Sequence, residues 1–357
     1  MAPDAWAAGS QDELLDLAWS ASGVLLALIA LLVLQIAAVG YWMERRRRRN
    51  VRLRALWEPI LADAAYQSPV ELPVLRRRDV IAFLQLWNYV QELVLEDARV
   101  RLAEVARRVG AARIARKRLV LARPRDRLVA ITAVGLLADD ASRETLESIA
   151  LTDRSPIRSL AAASALFRID PGRAAPLIIP CIRDRPEWSL AGLAGILAEA
   201  GPDTISEPLC ETACQAPPDQ APRLIRLLRL AHGDQAVAAV RRIMADATET
   251  EVITACLRVF EDPRDLDTVR TLLTDARWQV RLQAVAAIAR MGTEQDEPHM
   301  IELLEDREWW VRYRAAQGLA GSPHMTGARL HRLARELPGR FARDILAQVI
   351  AEREFAC

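Results

Sequence analysis

The chain has 357 residues, enough for two or three ordinary globular units or one long array. Its 48 basic and 47 acidic side chains leave a formal charge of +1, so it lacks the basic excess of a dedicated nucleic-acid binder. The five cysteines are an odd number, with no C-x-x-C pair and no histidine at metal-finger spacing. They point away from a disulfide framework or zinc finger and toward reduced thiols in helix packing.

The first predicted element runs from Gly23 to Met43, where Gln35 is the only polar residue before the aromatic pair Tyr41 and Trp42. As a helix it would be ~31 Å long, against the ~30 Å of bilayer hydrocarbon. Trp19 stands near one end and Tyr41 and Trp42 at the other, where amphipathic rings favour the headgroup layer. The residues before it carry Asp4, Asp12, Glu13 and Asp16 but no Lys or Arg, which argues against a cleaved signal peptide. A retained transmembrane helix over 23–43 is the expectation, with 1–22 a short extracytoplasmic N-terminus.

Arg45, Arg46, Arg47, Arg48 and Arg49 come directly after the span, with Arg52 and Arg54 beyond. Positive charge beside a span stays on the cytoplasmic side, so the remaining chain is expected inside, at a bacterial inner membrane. Trp42 and the five consecutive arginines are the expected membrane-surface residues, the arginines facing anionic lipid.

Residues 44–117 read as a basic juxtamembrane segment and a helical entry unit. Pro69 and Pro73 mark a connection, Asp79 is the expected N-cap of the next helix, and Gly110 its expected stop.

From 118 to 338 the chain repeats itself. "RLVAITAV" at Arg127, "SLAAASAL" at Ser159, "SLAGLAGI" at Ser189, "RLQAVAAI" at Arg281 and "RYRAAQGL" at Arg312 share one pattern of apolar and small residues. The clearest pair begins at Asp275 and Asp306, an offset of 31 residues. Such a period predicts a solenoid of two-helix units. Ala284 and Ala287, or Ala315 and Gly318, lie three apart on one helix face, where small size lets a neighbouring helix approach. Asp275 and Asp306 precede the second helices and are expected to cap them. Arg281 and Arg312 recur six residues later and are expected to join the aspartates in a ladder along the stack. Residues 339–357 read as a C-terminal capping helix.

The residues Asp306, Val311, Arg312, Ala315 and Leu319, with Asp275, Val280, Arg281, Ala284 and Ile288 one unit earlier, resemble the HEAT-like repeat family, in the short form also found in phycobilisome-lyase-type proteins. The resemblance covers roughly Arg118 to Ser322 and implies an α-solenoid whose faces bind other proteins. The expected fold class is therefore all-α, one transmembrane helix followed by HEAT-like hairpins.

No catalytic motif accompanies the repeats. P-loop, nucleophile-elbow and dinucleotide fingerprints are absent, and the four histidines (His232, His299, His324, His331) form no His-Glu dipeptide of the kind that holds iron in some HEAT-like enzymes. No cofactor, metal or catalytic residue is expected. The stretch "REWWVRYR" concentrates Trp309, Trp310 and Tyr313 with Arg312 and Arg314, residue types enriched at binding hot spots. One tryptophan is expected to pack as Trp278 does in the unit before; Trp310 and Tyr313 either pack between repeats with cation–π contacts from the arginines or are partly exposed to bind a partner. These readings predict a membrane-anchored scaffold that binds partner proteins, a membrane-associated enzyme of envelope or polysaccharide synthesis being the expected class. The alternative is a tethered HEAT-like enzyme, lyase-type or acting on nucleic acid through the basic cluster from Arg113 to Arg127.

Overall fold

The structure is a computed structural model that describes residues 5–67, 71–121 and 123–356. It describes their side chains except those of residues 5–18, 20–30, 121 and 354–356. The side chains of Gly23–Ala30, the first part of the expected span, therefore lie outside the described residues, as do those of 1–18 in the expected N-terminal segment. The described residues form helices and turns without strands, and two compact units divide the chain at Ala133–Val134.

The first unit is built on α1 (Ala5–Tyr66), α2 (Val80–Leu93), α3 (Glu96–Arg108), α4 (Ala111–Leu121) and the first part of α5 (Pro124–Leu136). Helix α1 runs without a break from the apolar stretch, through the arginines, into the core of this unit. Its lower part buries Leu53, Trp57, Leu61 and Ala64, spaced four, four and three apart on one face, against α2 and α3. Trp57 meets Phe83 edge-on, with ring centroids 4.7 Å apart. Arg101 of α3 donates to the Ala65 carbonyl near the end of α1. Among the described residues, no helix is long and apolar enough to cross a membrane.

The helix expected to run from Asp79 to Gly110 is broken at Val94 and Leu95, whose backbones are extended. Folding back satisfies buried polar groups that one long rod would have left without partners. Trp87 donates its indole N–H to the Leu102 carbonyl at 2.8 Å. Gln91 and Arg99 bond each other's carbonyls at 3.1 and 3.2 Å. Glu96 and Asp97 sit in the first turn of α3, where negative charge complements the helix dipole. Gly110, at φ +72°, follows the C-terminal end of α3 in the left-handed conformation that glycine adopts without strain. Asp79 holds the N-cap position of α2, but its side chain makes no cap hydrogen bond and instead pairs with Arg49 at 2.9 Å.

The second unit is a stack of helical hairpins. They are α6 (Arg143–Thr152) with α7 (Pro156–Ile169), α8 (Pro171–Asp184) with α9 (Leu190–Ala200), α10 (Pro202–Cys214) with α11 (Ala221–Leu227), and α12 (Gly233–Asp246) with α13 (Thr250–Val259). Then come α14 (Leu266–Thr271) with α15 (Trp278–Met291), α16 (Glu297–Glu302) with α17 (Trp309–Gly321), and α18 (Gly327–Glu336) with α19 (Arg340–Ala356). Three of the shorter helices, α11, α14 and α16, continue as 3-10 turns. The second helices pack on one another in order: α11 on α13, α13 on α15, α15 on α17 and α17 on α19. In the other layer α8 packs on α10 and α10 on α12. Each hairpin thus touches chiefly the hairpins next to it in sequence, as a solenoid requires.

Small residues set the approach of the layers. Ala284, Ala287, Ala315 and Gly318 are all buried. A Cβ on Gly318 would lie 3.1 Å from both the Ala289 Cβ and the Met300 Sδ. The helix expected from Gly339 is α19, the second member of a hairpin with α18, and its Ile345, Leu346, Val349 and Ile350 are buried.

Candidate functional site

The loops before the second helices share one device. Asp153, Asp275 and Asp306 each accept the backbone N–H two residues on, from Ser155, Arg277 and Glu308, all at 2.8 Å. These contacts order the entrance to α7, α15 and α17. Arg281, almost fully buried, donates one Nη to the carbonyls of Asp275 and Ala276 and forks its other edge onto Asp306 at 2.7 and 2.8 Å. This is the rung expected between aspartate and arginine, and it joins one repeat to the next. Burial works to raise the Asp306 carboxyl, but the hydrogen bonds from Arg281 and the Glu308 N–H outweigh it and hold the group below its ordinary value.

The next rung is altered. Arg312 repeats the carbonyl contacts, donating to Asp306 and Arg307 at 2.7 and 3.2 Å, as Arg343 does to Leu337 and Pro338 at 3.0 and 3.1 Å. Position 337, which is 31 residues beyond Asp306, is leucine, so no carboxylate faces Arg312 there. Its Nε is buried without a hydrogen-bond partner, and its guanidinium lies 5.4 Å from the ring centroid of Phe341.

Beside this departure from the repeat lies the aromatic cluster. Trp309 and Trp310 meet edge-on at 4.7 Å, and Trp309 stacks on Tyr313 at 5.0 Å with the planes 9° apart. Trp310 is 56% exposed, Phe341 69% and Trp309 40%. Trp309, which aligns with half-buried Trp278, is thus less packed than the repeat pattern predicts. The Tyr313 hydroxyl donates to Glu352 at 2.7 Å, and that carboxylate raises the phenol above its ordinary value. Arg314 is exposed. Helices α17 and α19 therefore bring Phe341 and Glu352 to the residues singled out by sequence. Neither contact is legible in the sequence, where 339–357 shows only an amphipathic helix ending the stack.

Around the arginine collar, Trp42 and Met43 are well exposed, as are Arg45, Arg46, Arg47 and Arg48. Arg48 pairs with Glu44 at 2.7 Å. Arg49 turns toward the protein, donating to the Arg78 carbonyl at 2.9 Å and pairing with Asp79. The basic cluster from Arg113 to Arg127 lies on α4 and the start of α5, with Arg113, Arg116, Lys117, Arg123 and Arg125 exposed.

This architecture, hairpins stacked so that second helix packs on second helix, defines a helical-repeat protein. Residues 238–320, from α12 to α17, match the family model for HEAT repeats. With the all-helical fold, the match supports a HEAT-like repeat protein. Comparison with curated proteins found no match.

Proposed function

We propose that this protein is a membrane-anchored scaffold whose hairpin stack binds partner proteins. HEAT repeats generally mediate protein–protein interaction, which supports the scaffold part of the reading. The observation that carries the membrane part is the upper portion of α1. Leu31, Leu32, Val33, Leu34, Ile36, Val39, Tyr41, Trp42 and Met43 are each more than half exposed among the described residues, so apolar side chains cover every face of the helix. In water such a surface is unfavourable by ~25 cal/mol per Å², and a helix apolar all round calls for a protein or lipid surrounding. The arginines beyond it favour an orientation with the stack in the cytoplasm and the N-terminus out, at the inner membrane.

The surface we assign to a partner is the patch of Trp309, Trp310, Arg312, Tyr313 and Arg314 with Phe341. Exposed aromatics beside arginine are what binding hot spots use, and this patch sits where the repeat's own ladder stops. The test has two arms. Full-length protein is expected to sediment with membranes and to need detergent for release; a freely dissolved full-length chain would refute the anchor. Trp310→Ala combined with Phe341→Ala is expected to abolish recovery of a stoichiometric partner from detergent extracts, with the melting temperature nearly unchanged. Undiminished recovery would refute the patch.

A further inference from the structure

We propose that a recess beside the arginine collar binds the headgroup of an anionic phospholipid, an inference that rests on the membrane anchoring proposed above. The recess measures about 1000 Å³ and lies between α1 and the loop that leads to α2. One end is mainly apolar, walled by Ala38, Val39, Trp42 and Met43 with Gln35 beyond them; the other is lined by six arginines, five from α1 and Arg78 from the loop. At 100° per residue, Ala38, Val39, Trp42, Arg46 and Arg49 share one face of α1. That face continues downward as Leu53 and Trp57, which pack into the core, so the recess lies on the side of α1 that faces its own unit.

Its charge is not cancelled from within. Arg48 and Arg49 are paired with Glu44 and Asp79. Arg45, Arg46 and Arg52 have no ion-pair partner among the described residues, and Arg78 approaches Asp79 only at 3.9 Å. Arg78 is held in place, because Arg49 binds both its carbonyl and the Asp79 carboxylate. Guanidinium groups are thereby held on two sides of one space, the arrangement that receives a phosphate through charge-assisted hydrogen bonds. An acyl chain attached to that phosphate would lie along Val39 and Trp42. A free phosphate would make no use of the apolar end, and the amphipathic lining therefore favours a lipid.

Arg78 separates a built recess from diffuse attraction to a charged surface. Full-length protein would be reconstituted into phosphatidylcholine vesicles containing a minor share of phosphatidylglycerol, and the immobilised fraction of spin-labelled phosphatidylglycerol compared with that of spin-labelled phosphatidylcholine. Wild type is expected to prefer the anionic lipid. Arg78→Gln, which leaves the backbone contact with Arg49 in place, is expected to lower that preference about fivefold, corresponding to about 1 kcal/mol. Arg77→Gln removes the same charge from an exposed neighbour outside the recess, and is expected to change it by less than twofold. No anionic preference, or equal losses in both variants, would overturn the recess while leaving the anchor standing. Failure to enter vesicles of any composition would overturn both.

Discussion

Arg281 and Arg312 hold equivalent positions in successive repeats, yet they end on different partners. The first forks onto a nearly buried aspartate, and the second lies over an aromatic ring because leucine replaces that aspartate. Removing one member of a buried pair strands the other, at a cost of ~3–5 kcal/mol. Arg281→Ala is expected to cost about 3 kcal/mol in urea unfolding, whereas Arg312→Ala, with no carboxylate to strand, should cost under about half of that. The same pair predicts a pH dependence. Because the folded Asp306 carboxyl lies below its unfolded value of 3.8, its contribution is complete above that pH and is lost as pH falls through the folded value. Acid titration of stability should show this loss in wild type and a smaller one in Arg281→Ala. Burial also pushes the Cys256 thiol up to about 12. At pH 8 this thiol should stay unlabelled by iodoacetamide until the chain unfolds, and labelling at the global unfolding rate under strong denaturant is the outcome to check by mass spectrometry. The recurrence of aspartate and arginine was legible in the sequence. That Arg281 reaches forward to Asp306, 25 residues on, for its carboxylate while taking only a carbonyl from Asp275 is a tertiary fact.

At the scale of elements, periodicity located the helices but not the bends between them. "QELVLEDARV" carries no Gly or Pro, so nothing local announces the reversal at Val94 and Leu95; hydrogen bonds from Trp87 and Gln91 to carbonyls of α3 hold it. Helix α1 ends at Tyr66 with Pro59 accommodated inside it; the connection expected at Pro69 lies outside the described residues. The small residues are read correctly as points of close approach, and one position is especially tight. A Cβ on Gly135 would lie 2.7 Å from both the Cα and the Cβ of Ala165 in α7. Backbone cannot yield as a flexible side chain does, so Gly135→Ala is expected to destabilise the fold by ~1–3 kcal/mol despite its gain in helix propensity. Chemical denaturation of the variant checks this, and a neutral result would mean that α5 and α7 separate more readily than the contact implies.

At the scale of the whole molecule, stability in the second unit passes from hairpin to hairpin, and the last pair closes the apolar end of the stack. Ile345, Leu346, Val349 and Ile350 are buried, and α19 covers α17. Deleting α18 and α19 would expose that face, and exposed apolar ends of repeat arrays associate. The truncated protein in detergent is expected to run as higher oligomers on size-exclusion chromatography, where the full chain does not. The membrane reading belongs to this scale too, since it depends on one helix joining an apolar rod to a packed unit through a collar of arginines.

The sequence by itself determined the all-helical class, the 31-residue offset and the place of the arginines, because each of these is a local pattern repeated along the chain. Only the tertiary structure decided which groups meet. It ran α1 unbroken into a core, set Phe341 and Glu352 beside the tryptophan cluster, and brought Arg78 across from the collar. The reason is physical: helix periodicity is written into neighbouring residues, whereas a partner's identity depends on which distant segment fills the opposing space.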